Sequence, residues 1–271
     1  MKLCVSAIAW NPDEEVAVAG LMAARGLGLV ELAPSKLFAH PEAPEQADLA
    51  RVRSFWEARG IRIVALQALL YGHPELTLFQ SAEVRQLTRD YLAGIIRTGA
   101  ALGAQALVFG APKNRARGAL PLAQALPIAV DFFGALGEVA RSLGTCLCLE
   151  PNPVQTGSDF CIDSVQALAL VEQVASPGFG LHLDTACARL AGEQFAERAR
   201  ASAALLRHVH FSEPDLAPVG PGGTLDAPGA LQALREVGYR GAVSIEMRAS
   251  AHDNLQAIQR ALEYLAAEEQ P

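Results

Sequence analysis

The chain has 271 residues, 51% of them hydrophobic and 19% charged, with a formal net charge of −7. That length fits one large domain, and the apolar fraction is enough to fill a sizeable core, which argues against a disordered chain. The acidic balance argues against nucleic-acid binding, which needs clustered Lys and Arg, and no apolar run approaches the roughly 18 residues that cross a bilayer.

Short apolar runs recur from the N-terminus onward. The first, residues 3–9, follows Lys2 and leads into Trp10-Asn11-Pro12. No small-residue cleavage site follows it cleanly, so it reads as a first strand rather than a signal peptide. Further strand candidates lie at 28–32, 61–67, 106–110, 146–150, 180–184, 208–211 and 242–246. Several are rich in Val, Ile and Leu, as parallel strands covered on both faces are. Between them, Val84, Leu87, Tyr91 and Ile95 recur at helical spacing, as do Ile128, Phe132, Leu136 and Val139, and Leu255, Ile258, Leu262 and Leu265. Gly26, Gly60, Gly103, Gly144 and Gly238 each fall shortly before a strand, where a left-handed residue ends the preceding helix. Cys4, Cys146, Cys148, Cys161 and Cys187 form no CxxC pair. They are expected to be reduced, buried thiols, which suits a cytoplasmic protein.

Eight strand-then-helix units predict an α/β chain that closes into a (β/α)8 TIM barrel, a single domain over residues 1–271. An open doubly wound sheet is the alternative, but the first strand is followed by neither GxGxxG nor a P-loop.

In such a barrel the C-terminal strand ends form the active site. Strand five ends Cys-Leu-Cys-Leu-Glu150-Pro-Asn152-Pro, strand six reads His182-Leu-Asp184-Thr185, strand seven His208-Val-His210-Phe-Ser212, and strand eight ends Ile-Glu246-Met-Arg248. Acids at the ends of apolar strands need partners, because an unpaired buried charge is expensive. Glu150, Asp184 and Glu246 would meet at one mouth beside His210 and repel each other unless a cation sits among them. Three oxygen donors and one nitrogen favour a single Mn2+ ion, with Mg2+, Co2+ and Zn2+ as alternatives, and an ion-pair network without metal is the competing reading. Period-two geometry puts His182 and His208 one layer deeper, behind the ligands.

Strand four runs into Gly110-Ala-Pro112-Lys113-Asn114-Arg115. Lys113 and Arg115 are candidates to hold a carboxylate or phosphate of the substrate, against a solvated loop or a salt bridge. Asn152, Cys187, Arg248 and Gln67 complete the substrate-binding candidates, and Glu31 on strand two is a further polar residue that lines either pocket or core.

The Glu-Pro-Asn-Pro end, the Leu-Asp-Thr and His-Val-His strands and the Gly-Tyr-x-Gly-x-Val-Ser-Ile-Glu ending resemble the xylose isomerase-like barrel superfamily. Within it they are most similar to the sugar phosphate isomerase/epimerase group, with its ketose 3-epimerases and hydroxypyruvate isomerases. Gly220-Pro221-Gly222-Gly223 with Leu225-Asp226 resembles that group's glycine-rich loop before the seventh helix. The resemblance implies one divalent metal on Glu150, Asp184, His210 and Glu246, with Glu150 and Glu246 as acid and base. Ketose 3-epimerases carry a substrate histidine where this chain has Cys187 and an arginine where it has Leu216. The superfamily's endonuclease IV needs more histidines than this acidic chain supplies. The expected activity is isomerisation or epimerisation of a small sugar, sugar phosphate or sugar acid by proton abstraction beside a carbonyl. The alternatives are a metal-dependent lyase or dehydratase on a cyclic polyol or keto acid, and a sugar-binding barrel without activity. A homo-oligomer is compatible with either.

Overall fold

The computed structural model describes residues 1–251 and 253–268. Its strands are β1 (Lys2–Ser6), β2 (Leu29–Leu32), β3 (Arg62–Leu66), β4 (Ala106–Phe109), β5 (Cys146–Leu149), β6 (Phe179–Asp184), β7 (Leu206–Ser212) and β8 (Ala242–Glu246). They pair in parallel in sequence order, and β8 closes on β1, with Lys2 opposite Ala242 and Val5 opposite Ile245. This is the expected TIM barrel.

The helices are α1 (Glu15–Ala24), α2 (Pro34–Leu37), α3 (Gln46–Glu57), α4 (Ala82–Leu102), α5 (Leu122–Ser142), α6 (Ser164–Val174), α7 (Thr185–Leu190), α8 (Phe195–Ser202), α9 (Ala227–Glu236) and α10 (Asn254–Glu268). Two helices follow both β2 and β6, so the strict one-helix unit is broken there. The first strand is shorter than 3–9, because Ser6 caps a 3-10 turn over Ala7–Ala9. The five glycines expected to stop helices all adopt positive φ, among them Gly103 at 89°, which ends α4.

The predicted face of α4 is displaced by about one residue: Leu87 is exposed, while Thr88, Leu92, Ile95 and Ile96 are buried. Among the described residues one helix, α5, is long and apolar enough to cross a membrane by length and composition, which the apolar runs of the sequence did not signal. Its Ala125, Ala129, Phe132, Phe133 and Leu136 are buried, and it packs on β5 and β6.

Glycine marks close packing where the helices meet the rest of the fold. At Gly94 in α4 a Cβ would collide with the carbonyl of Glu42, whereas Gly20 in α1 has nothing near its missing Cβ. Gly94→Ala should therefore lower stability by about 2 kcal/mol through overpacking, and Gly20→Ala should raise it by roughly 0.5–1 kcal/mol. Urea unfolding of the two variants beside wild type checks both signs.

Candidate active site and metal centre

Barrel register decides which side chains share a layer. Asp184 pairs with His210 and, one step below, His182 pairs with His208, while Ser212 pairs with Glu246. Glu150 follows directly on β5. One ligand atom from each of Glu150, Asp184, His210 and Glu246 lies within 4.8 Å of the others. The four residues are thus brought together at the C-terminal mouth.

Each member is held by a specific contact. Asp184 Oδ1 accepts from the backbone N–H of Cys187 at 2.6 Å and so caps α7, and its Oδ2 accepts from Ser212 Oγ at 2.5 Å. His210 Nε2 lies 3.0 Å from Glu31 Oε2, and its Nδ1 lies 3.3 Å from Glu246 Oε2. With the proton on Nε2 facing Glu31, the Nδ1 lone pair points into the cluster, and a carboxylate behind a histidine fixes the tautomer that a metal ligand needs. Gly110 makes room for Glu150, because a Cβ there would collide with Glu150 Oε2.

The electrostatics are those of an unneutralised anionic cluster. Burial, then Glu246 and Asp184, push the Glu150 carboxyl up to about 8, and burial and Glu246 raise Asp184. Burial opposes protonation of His210, but Glu31 and Glu246 outweigh it and raise its pKa well above the ordinary imidazole value. His210 Nδ1 and both ring nitrogens of His182 are buried without a hydrogen bond. Three carboxylates, an imidazole nitrogen free of hydrogen bonds and mutual repulsion together form a donor set that fits one divalent cation.

His182 and His208 lie in the deeper layer, their rings stacked at 5.6 Å, with His182 3.9 Å from Glu150 Oε1. Glu31 is fully buried and touches both His208, at 3.2 Å, and His210. Two irregularities in strand pairing, at Val30/Glu31 and at Leu181/His182, aim these polar side chains inward.

The substrate candidates separate. Arg115, expected at the substrate, is turned into the fold. It is fully buried, and its guanidinium donates to the carbonyls of Phe160 at 3.1 Å, Phe109 at 3.4 Å, Gly110, and Glu150 at 2.7 Å, and to Asn152 Oδ1 at 2.9 Å. All five of its N–H groups can be used in this way, so it ties the ends of β4 and β5 together and has no donor left for an anion. Asn152 reaches Cys187 Sγ at 3.8 Å, and its amide favours the charged form of Glu150. Gln67 is buried and donates to Ser6 Oγ. It lines, with Leu69, Tyr71, Asn114 and Glu150, a 240 Å³ cavity at the mouth. Lys113 and Arg248 are exposed on the rim loops, and the Arg248 backbone N–H donates to Leu216 O.

Sequence reasoning left Glu31 undecided and missed Ser212 and Gly110. The signal for Glu31 was a carboxylate in the otherwise apolar Leu-Val-Glu-Leu of β2. The signal for Ser212 was its place two residues beyond His210 on the same strand face. Non-glycine residues with positive φ gather in the same loops: Ala68 at 55°, Ala111 at 44°, Asp215 at 59° and Leu216 at 56°. Such strain concentrates where a mouth must be shaped.

Fold and site together define a TIM barrel with a carboxylate–histidine cluster at its catalytic end. The chain belongs to the xylose isomerase-like TIM barrel family, which matches residues 20–268. It is 25% identical over 227 residues to an inosose isomerase of Halalkalibacterium halodurans, covering 76% of this chain and 74% of that protein. Among solved structures it resembles a D-psicose 3-epimerase from Clostridium cellulolyticum H10, with TM-score 0.84, 16% identity and coverage of 99% and 98%. It also resembles a protein called IOLI, solved with a bound zinc atom, with TM-score 0.76, 19% identity and coverage of 99% and 98%.

Two outcomes follow. Arg115→Met should lower stability by about 3 kcal/mol or more, because it strands buried carbonyls. Unchanged urea unfolding, with loss of turnover on anionic substrates only, would return Arg115 to the substrate. The chelator-treated protein should lose stability as pH rises from 4.5 to 8. In that window folded Glu150 keeps a proton that the unfolded chain releases. The raised His210 acts in the same direction, since its stabilising charge is lost as pH climbs. Thermal melts across that range, with and without added Mn2+, measure the slope and its relief by metal.

Proposed function

We propose that the protein is a divalent-metal-dependent isomerase or epimerase of a small sugar or related polyol ketone, with Glu150 and Glu246 as the acid–base pair. The observation that carries this reading is the meeting of Glu150, Asp184, His210 and Glu246 within 4.8 Å at the mouth. The similarity to an inosose isomerase and to sugar epimerases supports it. Glu150, Asp184, His210 and Glu246 would hold one ion, and the oxygen-rich set favours Mn2+, while zinc in a structural relative keeps Zn2+ open. Bound there, the ion would supply Lewis acidity toward a carbonyl and its neighbouring hydroxyl.

The protein groups do the rest. Glu150 follows directly on β5 and Glu246 ends β8, with β6 and β7, which carry Asp184 and His210, between them. A substrate carbon between the two carboxylates can lose a proton to one and regain it from the other. Loss of the proton leaves an enediolate, and its return on the opposite face epimerises the centre, while return to the neighbouring carbon isomerises the sugar. Burial, Glu246 and Asp184 lift Glu150 toward the pH at which a carboxyl both takes and gives a proton. Asn152 orients Glu150 from the side, and Gln67 lines the same cavity. Arg115 acts at one remove, fixing the backbone from which Glu150 and Asn152 project.

The purified protein should carry about one divalent ion per chain by elemental analysis, with the count falling in Asp184→Asn and His210→Ala. Turnover of a ketose or inosose in D2O should place deuterium beside the carbonyl, and Glu150→Gln or Glu246→Gln should lower kcat by at least roughly 100-fold. Product free of deuterium would replace proton transfer with hydride transfer. Near-normal turnover by metal-loaded Glu246→Gln would end the two-base scheme.

A further inference from the structure

The opposite end of the barrel holds a second feature that the catalytic reading does not use. A cavity of 480 Å³ opens at the N-terminal face, between the starts of β1, β3 and β8 and the C-terminal ends of α3 and α4. Lys2, Arg53, Arg62 and Arg240 line it, with Glu57 as the only carboxylate. Glu57 is taken up by Arg53, at 3.3 Å. Lys2, Arg62 and Arg240 are exposed, and among the described residues none of the three forms an ion pair.

Four cations against one carboxylate leave a local charge of +3 on a chain whose formal total is −7. The ends of α3 and α4 oppose this with about half a negative unit each, so a net positive field remains. Lys2 and Arg62 open β1 and β3, where register sets Lys2 opposite Ala242 and Arg62 opposite Leu29, and Arg240 lies two residues before β8. A second cavity of 660 Å³ shares Lys2, Leu29 and Arg62 and extends the groove. The floor of the first is apolar, with Trp56 and Ile61 beneath the charged rim. Cavities of this size take small organic molecules, and guanidinium groups match the oxygens of a phosphate.

We infer that this N-terminal-face cavity is an anion site, separate from the catalytic mouth, that takes the phosphate group of a phosphorylated small molecule. The phosphate sits among Lys2, Arg62 and Arg240, and the organic part lies over the apolar floor. The inference is independent of the catalytic proposal.

Calorimetric titration of the metal-loaded protein at fixed ionic strength tests it, with glucose 6-phosphate, inorganic phosphate and glucose as probes. Wild type should bind glucose 6-phosphate saturably at a single site. Tighter binding of the ester than of inorganic phosphate identifies a phosphate ester as the ligand, and equal binding identifies free phosphate. Arg62→Ser/Arg240→Ser should weaken binding at least roughly tenfold, and so should Lys2→Gln if the double variant proves unstable. Asp184→Asn, at the other end of the barrel, should bind as wild type does. No saturable binding at millimolar phosphate ester, equal binding by glucose, unaltered binding in the cavity variants, or loss in Asp184→Asn would each overturn it.

Discussion

Three carboxylates confined within a few ångströms at the mouth of a closed barrel are the constraint around which the rest of this molecule is arranged. Barrel closure in sequence order leaves β5 to β8 no choice but to bring Glu150, Asp184 and Glu246 to one rim. In a site of low polarity such charges repel strongly, and the rise of Glu150 to about 8 expresses that repulsion on top of burial. The surrounding contacts hold the groups in place against it: Ser212 and a backbone N–H on Asp184, Glu31 on His210, Arg115 on the carbonyl of Glu150. A scaffold that fixes ligands before a cation arrives spares the ordering cost at binding.

The layer beneath explains how a histidine can serve such a cluster. Glu31 lies between His208 and His210, and those two imidazoles hold its carboxyl well below the usual range although burial opposes this. A charged Glu31 then orients His210 through Nε2. His182 is pressed the other way: burial and its histidine neighbours drive its pKa well below the ordinary value. It is therefore neutral packing in a polar layer, stacked on His208 and edge-on to His210 at 4.1 Å. The barrel thus carries one oriented histidine at the rim above a layer that sets its tautomer.

Much of this was legible in the sequence, for identifiable reasons. Strands covered on both faces read as apolar runs, and a carboxylate ending such a run stands out, so Glu150, Asp184 and Glu246 were visible. Period two separated His210 from His208, and the register pairs Asp184 with His210 and His182 with His208. Less legible was whatever depends on partners far apart in the chain. Ser212 looks like any strand-end serine until Asp184 is beside it, and Gly110 looks like a turn until the carboxylate of Glu150 fills the space its missing Cβ leaves. The buried stripe of α4 slipped because Thr88 turns inward, its hydroxyl satisfied by the Val84 carbonyl at 2.8 Å, while Leu87 faces solvent. Spacing alone cannot signal that exchange.

Arg115 shows why charge near a catalytic mouth is weak evidence about a substrate. From the sequence, a basic residue after strand four looks like a hand held out to an anion. In the fold it is withdrawn from solvent, where five strand-end and loop acceptors gather, of which the Phe109 carbonyl also accepts from the Glu150 backbone N–H at 3.1 Å. A lysine ammonium could not span that fan of acceptors, whereas a planar guanidinium can. With Arg115 spent, two further cations of the loops after β4 and β8, Lys113 and Arg248, stand exposed, where solvent screening weakens their hold on any ligand. The cavity that reaches Glu150 is lined instead by Gln67, Asn114 and apolar side chains. The interior of the mouth thus offers hydrogen-bonding and apolar groups, while Lys113 and Arg248 stand outside it at the rim.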